Sequence, residues 1–338
     1  MGGLGLTRAS TMGPIAAAVE AAGGSVARVF RQAEIPLALM DEPDRLILLA
    51  DQLRLVEGAV RESGDPALPA RLSRRTGIGG LGAIGRHVRA CTTLGEALAR
   101  VESVTPALLQ TATWTGLRRE GESVVYGYAV TERVEAGRQA NAMLALGYLL
   151  GTMRHFLGPD WRPRRAVLPG AALPDRAAVE AVLGCTLSLG AHTGLHFDAG
   201  LLSTPNPSPG PLVDAALPPP PNGLAGCVAG LIDLALCEGR PSIDWTARRL
   251  GLSRRSLQRR LEAEGTGFAP ILQAVMWARA EALLAEGAMP VGRIALALGY
   301  ADAAHFSRAF LGWTGVPPRL WRRLRDTSPG SEKDRSLS

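Results

Sequence analysis

Residues 247–261, ARRLGLSRRSLQRRL, place six arginines and Gln258 in fifteen positions and still keep a regular apolar rhythm. Such a density of cationic and amide side chains suits a negatively charged, hydrogen-bonding partner. Arginine can contact guanine bidentately, and glutamine can do the same to adenine. Abundance alone does not establish that chemistry. Lys333 is the only lysine in the chain, so arginine carries nearly all the positive charge. Arrangement has to decide.

At about 100° per residue, Leu257 and Leu261 stack on one face of a helix. Arg255, Gln258 and Arg259 fall on the opposite face near its start, flanked by Arg254 and Ser256. Ser253 has the type and place of an N-cap, and Gly251 suits the left-handed residue that ends a preceding short helix. The spacing predicts helix, tight turn, helix, with the long polar side chains on the N-terminal half of the second helix. That is the layout of a major-groove reader. A solvated basic helix would satisfy this one stretch equally well.

The frame returns, which a merely solvated helix does not explain. Ala247, Leu250 and Gly251 recur as Ala295, Leu298 and Gly299, shifted by 48. After a turn one residue longer the shift is 49: Ser253 matches Asp302, Leu257 matches Phe306, and Leu261 matches Phe310. On the outward face Arg255 matches Ala304, Gln258 matches Ser307, and Arg259 matches Arg308. Residues 266–287 between the copies read as one long helix able to hold two small modules rigidly. Two modules on one chain can read successive major-groove faces.

Residues 224–325 resemble the AraC/XylS family of bacterial transcription regulators. The signature lies in ARRLGLSRRSLQRRLEAEGTGF and IALALGYADAAHFSRAFLGWTGVPPRLWR. The resemblance implies an all-α domain of two helix-turn-helix units joined by a long helix. It also implies DNA contacts at Arg254, Arg255, Ser256, Gln258, Arg259, Ala303, Ala304, Ser307 and Arg308. Two alanines stand in the second unit where longer polar side chains often occur, so the first unit is expected to carry most direct readout. Met276 and Trp277 replace the arginine common on the connecting helix, which puts a phosphate contact there in doubt.

Charge follows the same division. From Arg240 to Arg325 there are fourteen arginines against six acids, a net of +8 in a chain whose total is +6. The positive field belongs to this segment, as a polyanion-binding domain requires. Residues 203–223 hold eight prolines and read as a stiff linker, because proline donates no amide hydrogen and restricts its predecessor. The expected domains are 1–202, the linker 203–223, the DNA-binding domain 224–325, and a disordered tail 326–338.

The first 202 residues read as α+β. Helices are expected over 45–62, 92–106 (with a threonine cap) and 141–158. Strands are expected over 105–116 and 122–132, joined through the polar turn 116–122, with further short strands over 164–170 and 193–200. CTTLGEALARVE, GPDWRPRRAVLPG and CTLSLGAHTGLHFDAGLL resemble the "arabinose-binding" N-terminal domain of one AraC subgroup. That resemblance implies an unidentified small-molecule effector and a homodimer, with promoter DNA and RNA polymerase as the other partners. Whether the regulator activates or represses depends on promoter geometry, which the chain does not contain.

Other chemistries find less support. Gly77, Gly79 and Gly82 have dinucleotide-loop spacing, but that loop needs a preceding strand and residues 66–75 read as helical. His192 and His196 lack a third metal ligand at a fixed spacing and read as strand-end residues. Trp114, Tyr126, Tyr128 and Tyr148 suit a core better than a ligand pocket. The four cysteines are single, which fits a reducing compartment, and no apolar stretch reaches membrane-spanning length. The N-terminus reads as a frayed start leading into a helix. The expectation is a cytoplasmic regulator with no cofactor, metal or catalytic group. The alternatives are a nucleotide-binding enzyme using the Gly77–Gly82 loop and a sequence-blind nucleic-acid binder.

Overall fold

The computed structural model describes residues 5–121, 123–212, 223–236, 239 and 241–326. Contacts divide the chain into two units, Met1–Pro220 and Pro221–Ser338. The proline run 218–221, Cys237 and residues 327–338 of the expected tail lie outside the described residues.

The first unit opens with β1 (Leu6–Arg8), α1 (Gly13–Ala21), α2 (Val26–Gln32) and β2 (Leu46–Leu48), β1 pairing antiparallel with β2. The N-terminus is therefore not frayed at residues 6–8. The helix expected from residue 45 begins only at α3 (Leu49–Ser63), because β2 takes the preceding turn into a two-stranded ribbon. A pairing partner forty residues away leaves no mark on local periodicity.

Next come α4 (Leu68–Thr76), α5 (Ala83–Ala90) and α6 (Leu94–Leu108). Thr93 caps α6 by accepting from Glu96 N at 3.2 Å, and the Glu96 carboxylate accepts from Thr92 N at 2.8 Å. This reciprocal pair satisfies amides that the helix start leaves without partners. The helix runs on through Pro106, so residues 105–108 are not strand. β3 (Thr113–Glu120) and β4 (Ser123–Val130) form a hairpin. Arg118 and Arg119, expected in the turn, lie in β3 and pair with Val125 and Val124.

α7 (Arg138–Leu157), β5 (Arg165–Pro169), α8 (Arg176–Leu183), β6 (Leu187–Gly190) and β7 (Thr193–Asp198) complete a sheet of order β3-β4-β7-β5-β6. Only β5 and β6 are parallel, and α8 joins them, since parallel neighbours need a crossover. Val124, Tyr126, Tyr128 and Val130 alternate inward along β4, and α7 is buried almost all round against this face. His196 sits within β7, not at its end, and His192 just precedes it.

Residues 203–212 are fastened to this unit. Asn206 Nδ2 donates to Arg89 O (3.0 Å) and Cys91 O (2.8 Å), and Leu94 N donates to Thr204 O (3.0 Å). The first half of the proline-rich segment thus packs over the α5–α6 junction, its prolines shaping an extended strap.

The second unit is helical: α9 (Gly223–Ala235), α10 (Ile243–Arg249), α11 (Arg254–Ala263), α12 (Phe268–Ala285), α13 (Val291–Ala297), α14 (Ala303–Thr314) and α15 (Pro318–Asp326). One core joins all of its first six helices, with Val228 and Ile232 of α9 at one end and Phe306 and Phe310 of α14 at the other. By length and composition α12 could cross a membrane, but it supplies Ile271, Leu272, Met276, Ala280 and Leu284 to this core. The expected fold class holds: a mixed α/β unit, then an all-α unit with two helix-turn-helix modules joined by a long helix.

Candidate nucleic-acid interface and an interior cavity

The two modules are built by the same hydrogen bonds. Leaving α10, Leu250 N donates to Ala247 O (3.1 Å) and Leu252 N to the same oxygen (2.9 Å), with Gly251 between them at φ +62°. Leaving α13, Leu298 N and Tyr300 N donate to Ala295 O (3.2 and 2.9 Å), with Gly299 at φ +73°. A left-handed residue turns the chain sharply there, and glycine takes that conformation without a Cβ penalty.

Each second helix is then capped by a side chain. Ser253 Oγ accepts from Ser256 N (3.2 Å), and Asp302 Oδ1 accepts from His305 N (2.7 Å). The backbone amides of His305 and Ala304 hold the Asp302 carboxyl below its usual range, with the Arg308 charge adding to the effect. Behind the helices Leu257, Leu261, Phe306 and Phe310 are fully buried. This is the face assignment that the apolar rhythm predicts.

On α11, Arg254, Arg255, Gln258 and Arg259 are exposed together, and Ser256 is half-buried beside them. Arg254 pairs with Asp244 at 3.3 Å across the turn. Among the described residues Arg255 and Arg259 make no ion pair. On α14, Ala304 and Arg308 are exposed, and Ala303 and Ser307 are half-buried. The Ser307 hydroxyl donates back to Ala303 O (2.7 Å), so its proton is spent within the helix. The first module therefore offers a cluster of long donors, and the second chiefly Arg308 beside two methyl groups.

Two features behind this surface were not legible as sites. Met276 is buried, and the Trp277 ring packs between Phe310 and Trp321 at 5.7 and 6.5 Å between centroids. Those positions carry core, not a phosphate contact. The Glu264 carboxylate closes the start of α9, accepting from Leu224 N and Ala225 N at 2.9 Å each. Both bonds favour its charged form and push its pKa down.

In the first unit a cavity of about 80 Å³ lies where α3, α5, α6, α7 and β4 meet. Tyr128 and Tyr148 line it, whereas Tyr126 is wholly enclosed and Trp114 lies exposed on the outside of the sheet. Two amide nitrogens, Gln110 Nε2 (3.1 Å) and Asn141 Nδ2 (3.0 Å), donate to the Tyr128 hydroxyl oxygen. Burial nonetheless raises the pKa of that phenol above its ordinary value. Alternation along the strand could have marked Tyr128 as inward, but nothing local foretold an unfilled space in front of it.

The glycine-rich stretch Gly77–Leu81 is a 3-10 turn following α4, so it lacks the strand that a dinucleotide loop requires. Among the described residues no group of three or more His, Cys, Asp or Glu is placed to hold a metal.

The family model described as the arabinose-binding domain of AraC transcription regulator, N-terminal, matches residues 23–206, over half of the chain. The chain belongs to the AraC family of transcription regulators. A helix-turn-helix domain model matches residues 246–324, spanning both modules of this AraC-type protein. The HTH-type transcriptional regulator VirS of Mycobacterium tuberculosis is 30% identical over 305 residues, 86% of this chain and 89% of that one. The ornithine utilization regulator of Pseudomonas aeruginosa is 39% identical over 82 residues, 24% of each chain. Among solved structures, the transcriptional regulator CdpR of Pseudomonas aeruginosa covers 80% of this chain and 90% of its own, at 22% identity and a TM-score of 0.39. This AraC-family chain is a DNA-binding, helix-turn-helix transcription regulator.

Proposed function

We propose that the chain is a one-component regulator that reads a promoter and answers a small-molecule effector. The carrying observation is the doubled module, with α11 presenting Arg254, Arg255, Gln258 and Arg259 on one exposed face. Arg255, Gln258 and Arg259 reach base edges, while Arg254 and Ser256 position the helix on the backbone. On α14, Arg308 supplies affinity, and Ala303, Ala304 and Ser307 form a close, mostly apolar surface suited to a thymine methyl. In this reading residues 1–202 sense the effector and form a homodimer, 203–223 link the domains with their first half anchored on the first unit, 224–325 bind DNA, and the remainder is a tail. RNA polymerase is the partner at the promoter, the protein acts in the cytoplasm, and it catalyses no reaction.

The effector reading is supported by an interior cavity inside the matched arabinose-binding region. An effector must bind one functional state more tightly than the other, since equal affinity shifts nothing.

Gel shifts test the reading. At constant salt the protein should shift DNA from upstream of its own or neighbouring genes at concentrations that leave scrambled DNA free. Equal affinity for both would mean a sequence-blind binder, and no shift at any concentration would remove the DNA-reading role.

A further inference from the structure

The cavity in the first unit carries information about what it takes. Sixteen residues line it, and none is Asp, Glu, Lys, Arg or His. An ionised ligand there would lose its hydration without a counter-charge, a cost of several kcal/mol per ion. A neighbouring, larger cavity of about 320 Å³ has the opposite character, with Arg74, Arg154 and His155 in its wall. The apolar cavity offers an anion no such counter-charge.

A polyol fits no better. Three of the four threonines in the wall, Thr11, Thr105 and Thr152, donate their hydroxyl protons to Arg8 O, Val101 O and Tyr148 O at 2.7–3.1 Å, which leaves Thr115 as the one threonine hydroxyl open to a ligand. Tyr148 has its hydroxyl beside Thr76 Oγ1 at 3.3 Å. A sugar would bring a hydroxyl on nearly every carbon, and each one left unpaired costs about 1–3 kcal/mol.

Two further polar groups in the wall are open to a partner and lie deeper. Gln52 Oε1 is buried with no hydrogen-bond partner, on a residue only 2% exposed. The Tyr128 oxygen receives two amide N–H groups, so its own proton is left to be donated. One acceptor and one donor are what a single hydroxyl group can use. Buried polar groups are seldom left without partners, and an exception points to a missing one. The volume of about 80 Å³ is room for about three waters at ~30 Å³ each, roughly half the ~150 Å³ that encloses a benzene ring, so a six-membered ring is held by one edge and extends toward the exposed Gly80 of the wall.

We infer that this cavity binds a small, neutral, largely apolar molecule bearing one hydroxyl group, a phenol or cyclic alcohol in chemical class, recognised through Gln52 and Tyr128. The inference rests on the effector reading above and specifies its chemistry.

Calorimetric titration of the full chain tests it, with phenol, cyclohexanol, toluene, benzoate and L-arabinose as probes. Phenol and cyclohexanol should bind at least tenfold more tightly than toluene, and neither benzoate nor arabinose should compete with them. Gln52→Leu and, separately, Tyr128→Phe should each weaken phenol at least tenfold and leave toluene within about twofold. Ala145→Phe, which projects a ring into the cavity, should abolish binding of all three neutral cyclic probes while the circular dichroism spectrum stays that of the parent. Unchanged phenol affinity in both polar variants would overturn recognition through these groups. Benzoate binding that Ala145→Phe abolishes would overturn the neutral character of the ligand, and arabinose binding abolished in the same way would overturn its apolar, single-hydroxyl character; either would leave the effector reading standing. If none of the five binds, the inference fails; if a subsequent thermal-shift screen of varied metabolites also gives no ligand, the effector reading fails with it.

Discussion

Trp277 on the connecting helix and Phe310 on the second recognition helix lie 5.7 Å apart, centroid to centroid, with their planes tilted by 33°. The contact ties α12 to the back of α14, so the long helix that separates the two modules also sets the second one's seat. Phe310 is fully buried, and the Trp321 ring meets both of these residues edge-on. Trp277→Ala is expected to cost about 1–3 kcal/mol, less than a fully buried tryptophan because Trp277 is half-buried. Denaturant unfolding followed by circular dichroism checks this. An unchanged midpoint would mean that α14 holds its place without the ring.

Arg259 faces outward from α11 with no acidic partner among the described residues, so it is available to a base. Arg259→Ala should weaken cognate DNA by about 1–3 kcal/mol and broaden base preference at one position. Binding-site selection read by sequencing reports both effects. A uniform loss over all sequences would make Arg259 a phosphate clamp.

Leu257 fills the space behind that same face and is fully buried. Leu257→Ala should destabilise the second unit by about 2–5 kcal/mol. Thermal melting of the full chain should show one transition moving and the other staying, if the two units unfold separately.

Gly251 and Gly299 hold equivalent turns at φ +62° and +73°. A β-branched side chain in this conformation is strained by about 1–2 kcal/mol or more. Gly251→Val should lower both the melting temperature and DNA affinity, whereas Gly251→Asn should retain most of each, since asparagine tolerates the left-handed region. Equal behaviour of the two variants would show that the turn does not depend on φ.

Glu264 contributes stability that depends on pH. Its folded pKa is depressed by the Ala225 and Leu224 amides, so the contribution is present above the ordinary glutamate pKa and is lost as pH falls through the folded value. Glu264→Gln should therefore melt earlier than the parent at neutral pH, and the gap should narrow on acidification below about pH 4. A gap that is constant down to pH 3 would assign the effect to shape, not charge.

Local pattern is strong where a helix buries one face and is punctuated by its own residues. The α11 and α14 frames were readable for that reason: Leu257 and Leu261, or Phe306 and Phe310, one turn apart, with Ser253 or Asp302 at the cap and Gly251 or Gly299 at the bend. Those features act within a dozen residues, and the structure shows each of them. The sheet was less legible. β1 and β2 exist through pairing across forty residues, β6 through a parallel neighbour reached over α8, and the Arg118–Arg119 stretch is strand because β4 lies beside it. Such interactions couple distant segments and write no period into either one.

The sequence by itself determined the doubled reader, its exposed arginines and its buried leucines, because helix periodicity and capping are local physics. Tertiary structure alone decided that Trp277 is core, that Glu264 closes α9, that Asn206 fastens a proline-rich strap, and that Gln52 and Tyr128 share one cavity. Each of these depends on which surfaces meet, and burial and hydrogen-bond partnership are properties of the packed chain.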